Sequence, residues 1–97
     1  MVFNRFGMKE LSELKEALHE GNVADVVSQL ESYVSLHKDS AEAYFLLGNA
    51  YRKMENWEMA LNNYQIAMDM DPEGPASLAY NATIEVLEFF NKDMFNQ

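Results

Sequence analysis

The sequence predicts an all-α protein of five helices, arranged as two helix hairpins followed by one capping helix. Three observations predict it. Leu, Ala and Glu are the commonest of the 97 residues, with Met abundant, while Gly is scarce and Pro occurs only at Pro72 and Pro75, a balance that favours helix over strand. Across residues 41–74, large and small apolar side chains recur at three- and four-residue steps, the period of a helix face. Moved back by the length of that stretch, the same pattern falls in degraded form over residues 7–40.

The clear copy reads AEAYFLLGNAYRKMENWEMALNNYQIAMDMDPEG. Tyr44, Leu47, Gly48 and Tyr51 share one helical face; Ala60, Tyr64 and Ala67 share a second. Glu55-Asn56 interrupts the apolar pattern, and Asn56 is placed to cap the next helix by accepting an orphan backbone N–H. Asp71-Pro72 ends that helix, because Pro disfavours helix at the residue before it. Gly48, Ala60 and Ala67 leave the gap that two antiparallel helices need to approach. Tyr44, Tyr51, Trp57 and Tyr64 fill the space around it.

In the earlier copy, Leu14 stands where the clear copy has Gly48. Ala17 replaces Tyr51, Val26 replaces Ala60 and Leu30 replaces Tyr64. Its turn is Glu20-Gly21-Asn22, where Asn22 is expected to cap the second helix with Asp25 as its capping-box partner. Lys38-Asp39-Ser40 closes this copy by turn chemistry, and Ser40 is placed to cap the third helix. Helices are therefore expected over residues 8–20, 23–37, 41–54 and 57–70. Met8-Lys9-Glu10 reads as a natural start, leaving residues 1–7 as an extension. A fifth helix is expected over 75–90, with Pro75 in its first turn, where the missing N–H costs nothing. Leu78, Ala82, Val86 and Phe89 form its expected inward stripe, with Phe90 beside it. Residues 91–97 read as a loose tail, in which Met94 and Phe95 have the means to pack back.

The order Tyr44, Leu47-Gly48, Tyr51, Ala60, Tyr64, Ala67, Pro72 resembles the tetratricopeptide repeat. The resemblance is specific over 41–74, weaker over 7–40 and positional beyond Pro75, where Asn81 replaces the expected Leu and Glu85 the expected Tyr. Too few residues remain there for a helix pair, so 75–90 reads as the terminal cap that repeat arrays need. The resemblance implies a right-handed α-α superhelix. Its first helices would line a concave groove, its second helices would form the outer wall, and a peptide or protein segment would bind in the groove.

The positions out of phase with the clear copy's internal face are Glu42, Phe45, Asn49, Arg52 and Lys53. The same register offers Met8, Leu11, Lys15, Leu18 and His19 from the first helix, and Ala76, Ala79, Thr83 and Val86 from the cap, with Leu87 flanking. The expected ligand groove is thus Leu11, Lys15, His19, Phe45, Asn49, Arg52, Lys53 and Thr83. Three of its members are among only seven bases in a chain of net charge −9. Either they form a positive groove for an anionic peptide, or they pair with neighbouring acids such as Glu42. Phe45, Leu11 and Leu18 either anchor a ligand or pack on the neighbouring helix. Some repeats of this family clamp the C-terminal carboxylate of chaperones through Lys, Asn and Arg. Asn49 matches one member, but Leu11, Lys15, Ala79 and Thr83 occupy the other positions, so the clamp is mostly missing.

The remaining features exclude other classes. A charge of −9 repels phosphate backbones and anionic lipid, arguing against nucleic-acid and membrane-surface partners. No apolar run is long enough to span a bilayer, and no secretory core stands at the amino terminus. Cysteine is absent, which removes disulfides and thiolate metal sites and accords with a cytoplasmic location. Glu16-Ala17-Leu18-His19 has Glu-x-x-His spacing, but Val34 stands where a second motif ending at His37 would need Glu. No phosphate loop, nucleophile elbow or Ca²⁺ loop occurs. The sequence is read as a non-enzyme, without cofactor or metal. The alternative function is structural: self-association as a homodimer or a subunit of a larger assembly. Two repeats are fewer than a stable stack usually has. Val2, Phe3 and Phe6 at one end, with Phe89, Phe90, Met94 and Phe95 at the other, either fold onto the body or bury against a second copy.

Overall fold

A computed structural model describes residues 10–95, with side-chain environments through residue 90. The expected start at Met8, the groove position Met8 and the apolar Val2, Phe3 and Phe6 lie outside the described residues. The side chains of Met94 and Phe95 do too.

Five helices follow in order: α1 Leu11–His19, α2 Val23–Leu36, α3 Ala41–Lys53, α4 Trp57–Met70 and α5 Pro75–Phe95. Among the described residues there is no strand. Each helix packs on its chain neighbours, the α3–α4 hairpin most extensively, and α1 also touches α3.

The two hairpin turns are built alike. In the first, the Gly21 amide donates to Leu18 O and the Asn22 amide to Ala17 O; in the second, the Glu55 amide donates to Arg52 O and the Asn56 amide to Tyr51 O. Both are Schellman closures, which need a left-handed residue after the helix. Gly21 meets this at φ +95°, and Glu55, a non-glycine, adopts φ 60° in the same place. The caps differ from expectation at one site. Ser40 Oγ accepts the Ala43 amide (3.1 Å) and Asn56 Oδ1 accepts the Met59 amide (3.3 Å). Asn22 occupies the N-cap position but its side chain caps nothing. Its expected partner Asp25 instead accepts from Gln29 Nε2 at 2.8 Å, one turn further on.

Two buried clusters hold the stack. The first gathers Leu14, Leu18, Val26, Leu30, Val34, Ala43, Leu46, Leu47 and Ala50 from α1, α2 and α3. The second gathers Ala60, Tyr64, Ala67 and Ala76 from α4 and α5. Tyr44, Phe45 and Tyr51 pack against both clusters and join them. Within the clear copy, a Cβ on Gly48 would overlap Cδ1 and Cε1 of the Tyr64 ring. The degraded copy solves the same volume problem differently: Leu14 and Leu30, at the positions of Gly48 and Tyr64, are both fully buried. Tyr51 ties the two repeats together, donating its hydroxyl to Glu31 Oε2 on α2 at 2.6 Å.

Two expectations for the cap are corrected. Helix α5 continues to Phe95 instead of stopping near Phe90, because residues 91–95 contain neither Gly nor Pro to end it. Its expected inward stripe faces outward: Leu78, Ala82, Val86, Phe89 and Phe90 are exposed. The inward face holds the buried Ala76 and Thr83 with half-buried Ser77, Ala79, Tyr80, Ile84 and Leu87. Register explains the rotation. Ser77, Tyr80 and Ile84 stand one repeat length after Ala43, Leu46 and Ala50, the buried α3 face that packs in the α1–α2 cluster. Leu78, Ala82 and Glu85 stand one repeat length after Tyr44, Gly48 and Tyr51, the face that meets a repeat's own second helix. No sixth helix is present among the described residues to meet it.

Candidate ligand groove

The groove begins with a row on α3 that borders the packing against α4, in which Phe45 and Asn49 are half-buried and Arg52 is exposed. Phe45, Asn49 and Arg52 lie along it at three- and four-residue steps, and all three converge on Tyr64 of α4. The Phe45 and Tyr64 ring centroids are 6.1 Å apart. Arg52 Nε donates to the Tyr64 hydroxyl at 3.1 Å, and that hydroxyl donates to Asn49 Oδ1 at 2.5 Å. Burial pushes the Tyr64 phenol pKa above its ordinary value, and the Arg52 charge and hydrogen bond partly oppose the rise. Tyr64 therefore stays a neutral donor to Asn49 and acceptor from Arg52 at neutral pH.

This relay has a consequence for recognition. A guanidinium offers five N–H donors and an amide two. With Nε spent on Tyr64, the terminal guanidinium nitrogens of Arg52 remain, as does the Asn49 amide nitrogen. The fixed orientation lowers the entropy lost when a ligand is bound. Sequence reasoning treated Tyr64 only as a space-filler and missed its hydroxyl. The signal available was the Asn49–Tyr64–Arg52 arrangement across the hairpin, which needs the helix crossing to become visible.

Two clefts open beside this row. One, of about 310 Å³, is lined by Lys15, Glu42, Phe45, Asp71, Pro75 and Ala76 among others. The other, of about 410 Å³ and shallower, is lined by Arg52, Lys53, Glu55, Trp57, Ala82, Thr83 and Val86. The first is of mixed charge. The second carries two bases against one acid in a chain of 16 acids and 7 bases. Trp57, the chain's single tryptophan, is half-buried in its wall.

The structure brings Lys15 and Phe45 to one cleft and Arg52, Lys53 and Thr83 to the other. Asn49 lies between Phe45 and Arg52 on α3. His19 is exposed at the end of α1 and lines neither cleft. Leu11 is half-buried against the first core cluster, and Leu18 is buried inside it, so for these two leucines packing takes the side chain. Thr83 is 1% exposed and its hydroxyl donates to Ala79 O at 2.8 Å, so it contributes a wall to its cleft and no free donor. Among the described residues, none of Lys15, Arg52 and Lys53 forms a carboxylate ion pair; the side-chain partner of Arg52 is Tyr64.

Comparison with known proteins agrees with this architecture. The family model for the tetratricopeptide repeat matches residues 41–73, the α3–α4 hairpin and its turn. A solution NMR structure, that of the Bacteroides fragilis protein BF1650, is 42% identical over 93% of this chain and 92% of its own, with a TM-score of 0.76. The chain belongs to the tetratricopeptide repeat family. No curated protein matches it. Tetratricopeptide repeats mediate protein–protein interactions, and the fold is typically a scaffold without catalytic activity. No helix among the described residues is long and apolar enough to cross a membrane.

Proposed function

We propose that this tetratricopeptide repeat domain binds an acidic peptide segment of a partner protein along the concave side of α3, and that its role is binding without catalysis. The observation that carries the reading is the Arg52–Tyr64–Asn49 relay. It presents a fixed guanidinium and a free amide nitrogen between two clefts, in a molecule that is acidic elsewhere. Lys53 extends the positive end, and Trp57 and Val86 give that cleft an apolar floor. A carboxylate of the ligand meets Arg52 and Lys53, a backbone carbonyl meets the Asn49 amide, and an apolar side chain rests near Phe45. Lys15 contributes charge at the far cleft, with Leu11 and His19 at the margin. A cytoplasmic setting accords with this reading.

The single tryptophan provides the assay. An array of peptides combining Glu or Asp with one Leu or Phe is titrated while Trp57 fluorescence is followed. Binding should weaken with salt, because screening reduces the attraction between exposed charges. Lys53→Glu is the informative variant, since Lys53 is exposed and Arg52 also supports Tyr64. Affinity should fall about tenfold, equivalent to about 1.4 kcal/mol. Unchanged affinity in a folded Lys53→Glu protein would remove the electrostatic part of the proposal.

A further inference from the structure

The cap helix hides one apolar face and displays another. Leu78 is 77% exposed, Phe89 68% and Phe90 52%, with Ala82 and Val86 exposed between them. At 100° per residue these five occupy one arc of about 120°. The polar remainder of the helix through residue 90 is a narrow strip of Asn81, Glu85 and Glu88. A helix with one buried face carries a broad polar back; α5 has the pattern of a helix with partners on two sides. Its place in the repeat register says which partner is missing. Leu78 and Ala82 stand where, one repeat earlier, Tyr44 and Gly48 receive α4, the second helix of their own repeat.

We propose that the missing partner is a second copy of this chain, docked α5 against α5 in an antiparallel, two-fold arrangement. The stripe is self-complementary. Antiparallel pairing about a point between Thr83 and Ile84 sets Leu78 against Phe89 of the other copy, twice, and places the small Ala82 near the crossing, where close approach is needed. The area fits. An aromatic side chain buries about 150–250 Å², so the exposed parts of Phe89 and Phe90 alone offer roughly 240 Å². Leu78 and Val86 carry the patch into the range of several hundred Å² that marks an interaction site. A standard interface takes about 800 Å² from each partner, of which roughly 65% is apolar in homodimers. Helix α5 spans 21 residues, about 31 Å, which gives the contact its length. The two-fold closes on itself and leaves no copy of the stripe open.

Each copy has charge −9, so the dimer must overcome repulsion between like-charged bodies. Added salt therefore strengthens it, the opposite of its effect on an acidic peptide in the groove. Ala82 and Val86 also line the Arg52–Lys53 cleft, so the second copy and a peptide compete there, and the opposite response to salt tells them apart.

The test is sedimentation across a hundredfold range of concentration, at low and high salt, on the full chain and on Leu78→Glu/Phe89→Glu. Both substituted side chains are exposed, so helix content should be unchanged by circular dichroism. Wild type should move to twice the monomer mass as concentration rises, at lower concentration in high salt. The variant should stay monomeric over the same range. Absence of native cysteine permits a second readout. Ala82→Cys should give a disulfide-linked dimer on oxidation, whereas Ser28→Cys, exposed on α2, should not. A wild type monomeric throughout would overturn the proposal and leave the stripe to a different protein or to residues 1–9. A dimer that survives the double substitution, dissociates in salt, or cross-links through Ser28→Cys and not Ala82→Cys would also overturn it, by locating self-association elsewhere.

Discussion

Gly48 and Glu55 show how much one residue decides here. Gly48 exists because the Tyr64 ring occupies the space a Cβ would need. Ala is the better helix former by about 1 kcal/mol, yet overpacking costs about 1–3 kcal/mol. Gly48→Ala should thus lower stability by about 1 kcal/mol, read from the urea midpoint, and a Tyr64→Leu background should turn that loss into a gain. Glu55 is the converse. It holds φ 60° in a turn whose earlier copy uses Gly21, and the left-handed region costs a side chain about 1–2 kcal/mol. Glu55→Gly should raise the midpoint by the equivalent of about 0.5–1 kcal/mol. A fall would mean that the Glu55 side chain makes a compensating contact. Tyr64→Phe keeps the ring against Gly48 and removes the hydroxyl. It should cost about 1 kcal/mol of stability and weaken any groove ligand by releasing Arg52 and Asn49.

At the scale of elements, the caps give a paired prediction. Asn56→Ala removes a real side-chain cap from α4 and should cost about 1 kcal/mol. Asn22→Ala removes none from α2 and should cost no more than a few tenths. Equal losses would show that Asn22 caps in solution. These two asparagines also show how far local patterns reach. Both stand in the same sequence context, after a Schellman turn and before an apolar helix, so the pattern reads them alike. Asp25 chose Gln29 over the cap, a competition between two i-to-neighbour hydrogen bonds that sequence spacing cannot rank. The helices of the hairpins were legible because apolar period, turn residues and Pro72 agree. The phase of α5 was not. Its most apolar stripe looked like the core stripe, because burial is the usual reason for such a stripe. Tyr80 and Ile84 take the inward place because the stack's geometry, carried one repeat length on from Leu46 and Ala50, outranks the local apolar count. That Phe45, Asn49, Arg52 and Lys53 share one side of α3 follows from phase alone. The Tyr64 hydroxyl that orders two of them does not, since it comes from the opposite helix.

Across the whole molecule, two phenols couple stability to alkaline pH. Burial, then the hydrogen bond and charge of Glu31, push Tyr51 from its usual 10.0 up to about 12. Burial raises Tyr64 as well. A folded-state pKa above the unfolded one gives stability that is complete below the unfolded value and is lost as pH rises through the folded value. The urea midpoint should therefore be unaffected by these groups near neutrality and should fall between about pH 10 and pH 12. Tyr51→Phe should fall less steeply over that window. A midpoint just as steep in Tyr51→Phe would break the assignment to the α2–α3 link. The two cores meet through Tyr44, Phe45 and Tyr51, so the repeats should unfold together, with fluorescence of Trp57 and far-ultraviolet ellipticity changing at one midpoint. Separate midpoints would mean that the hairpins are independent units.

The proposed binding mode lays a partner's acidic segment along the concave side of α3. Amide chemical-shift mapping on the isotope-labelled protein reads out this placement, using the best acidic peptide from the array at a salt concentration that keeps the protein in one oligomeric state. Shifts should fall contiguously on Phe45, Asn49, Arg52, Lys53 and Trp57 and on the cleft wall at Ala82, Thr83 and Val86, with α2 and the ends of the α5 stripe at Leu78 and Phe89 unmoved. Shifts confined to α2 or to Leu78 and Phe89, or no shifts from any acidic peptide in the array, would contradict it.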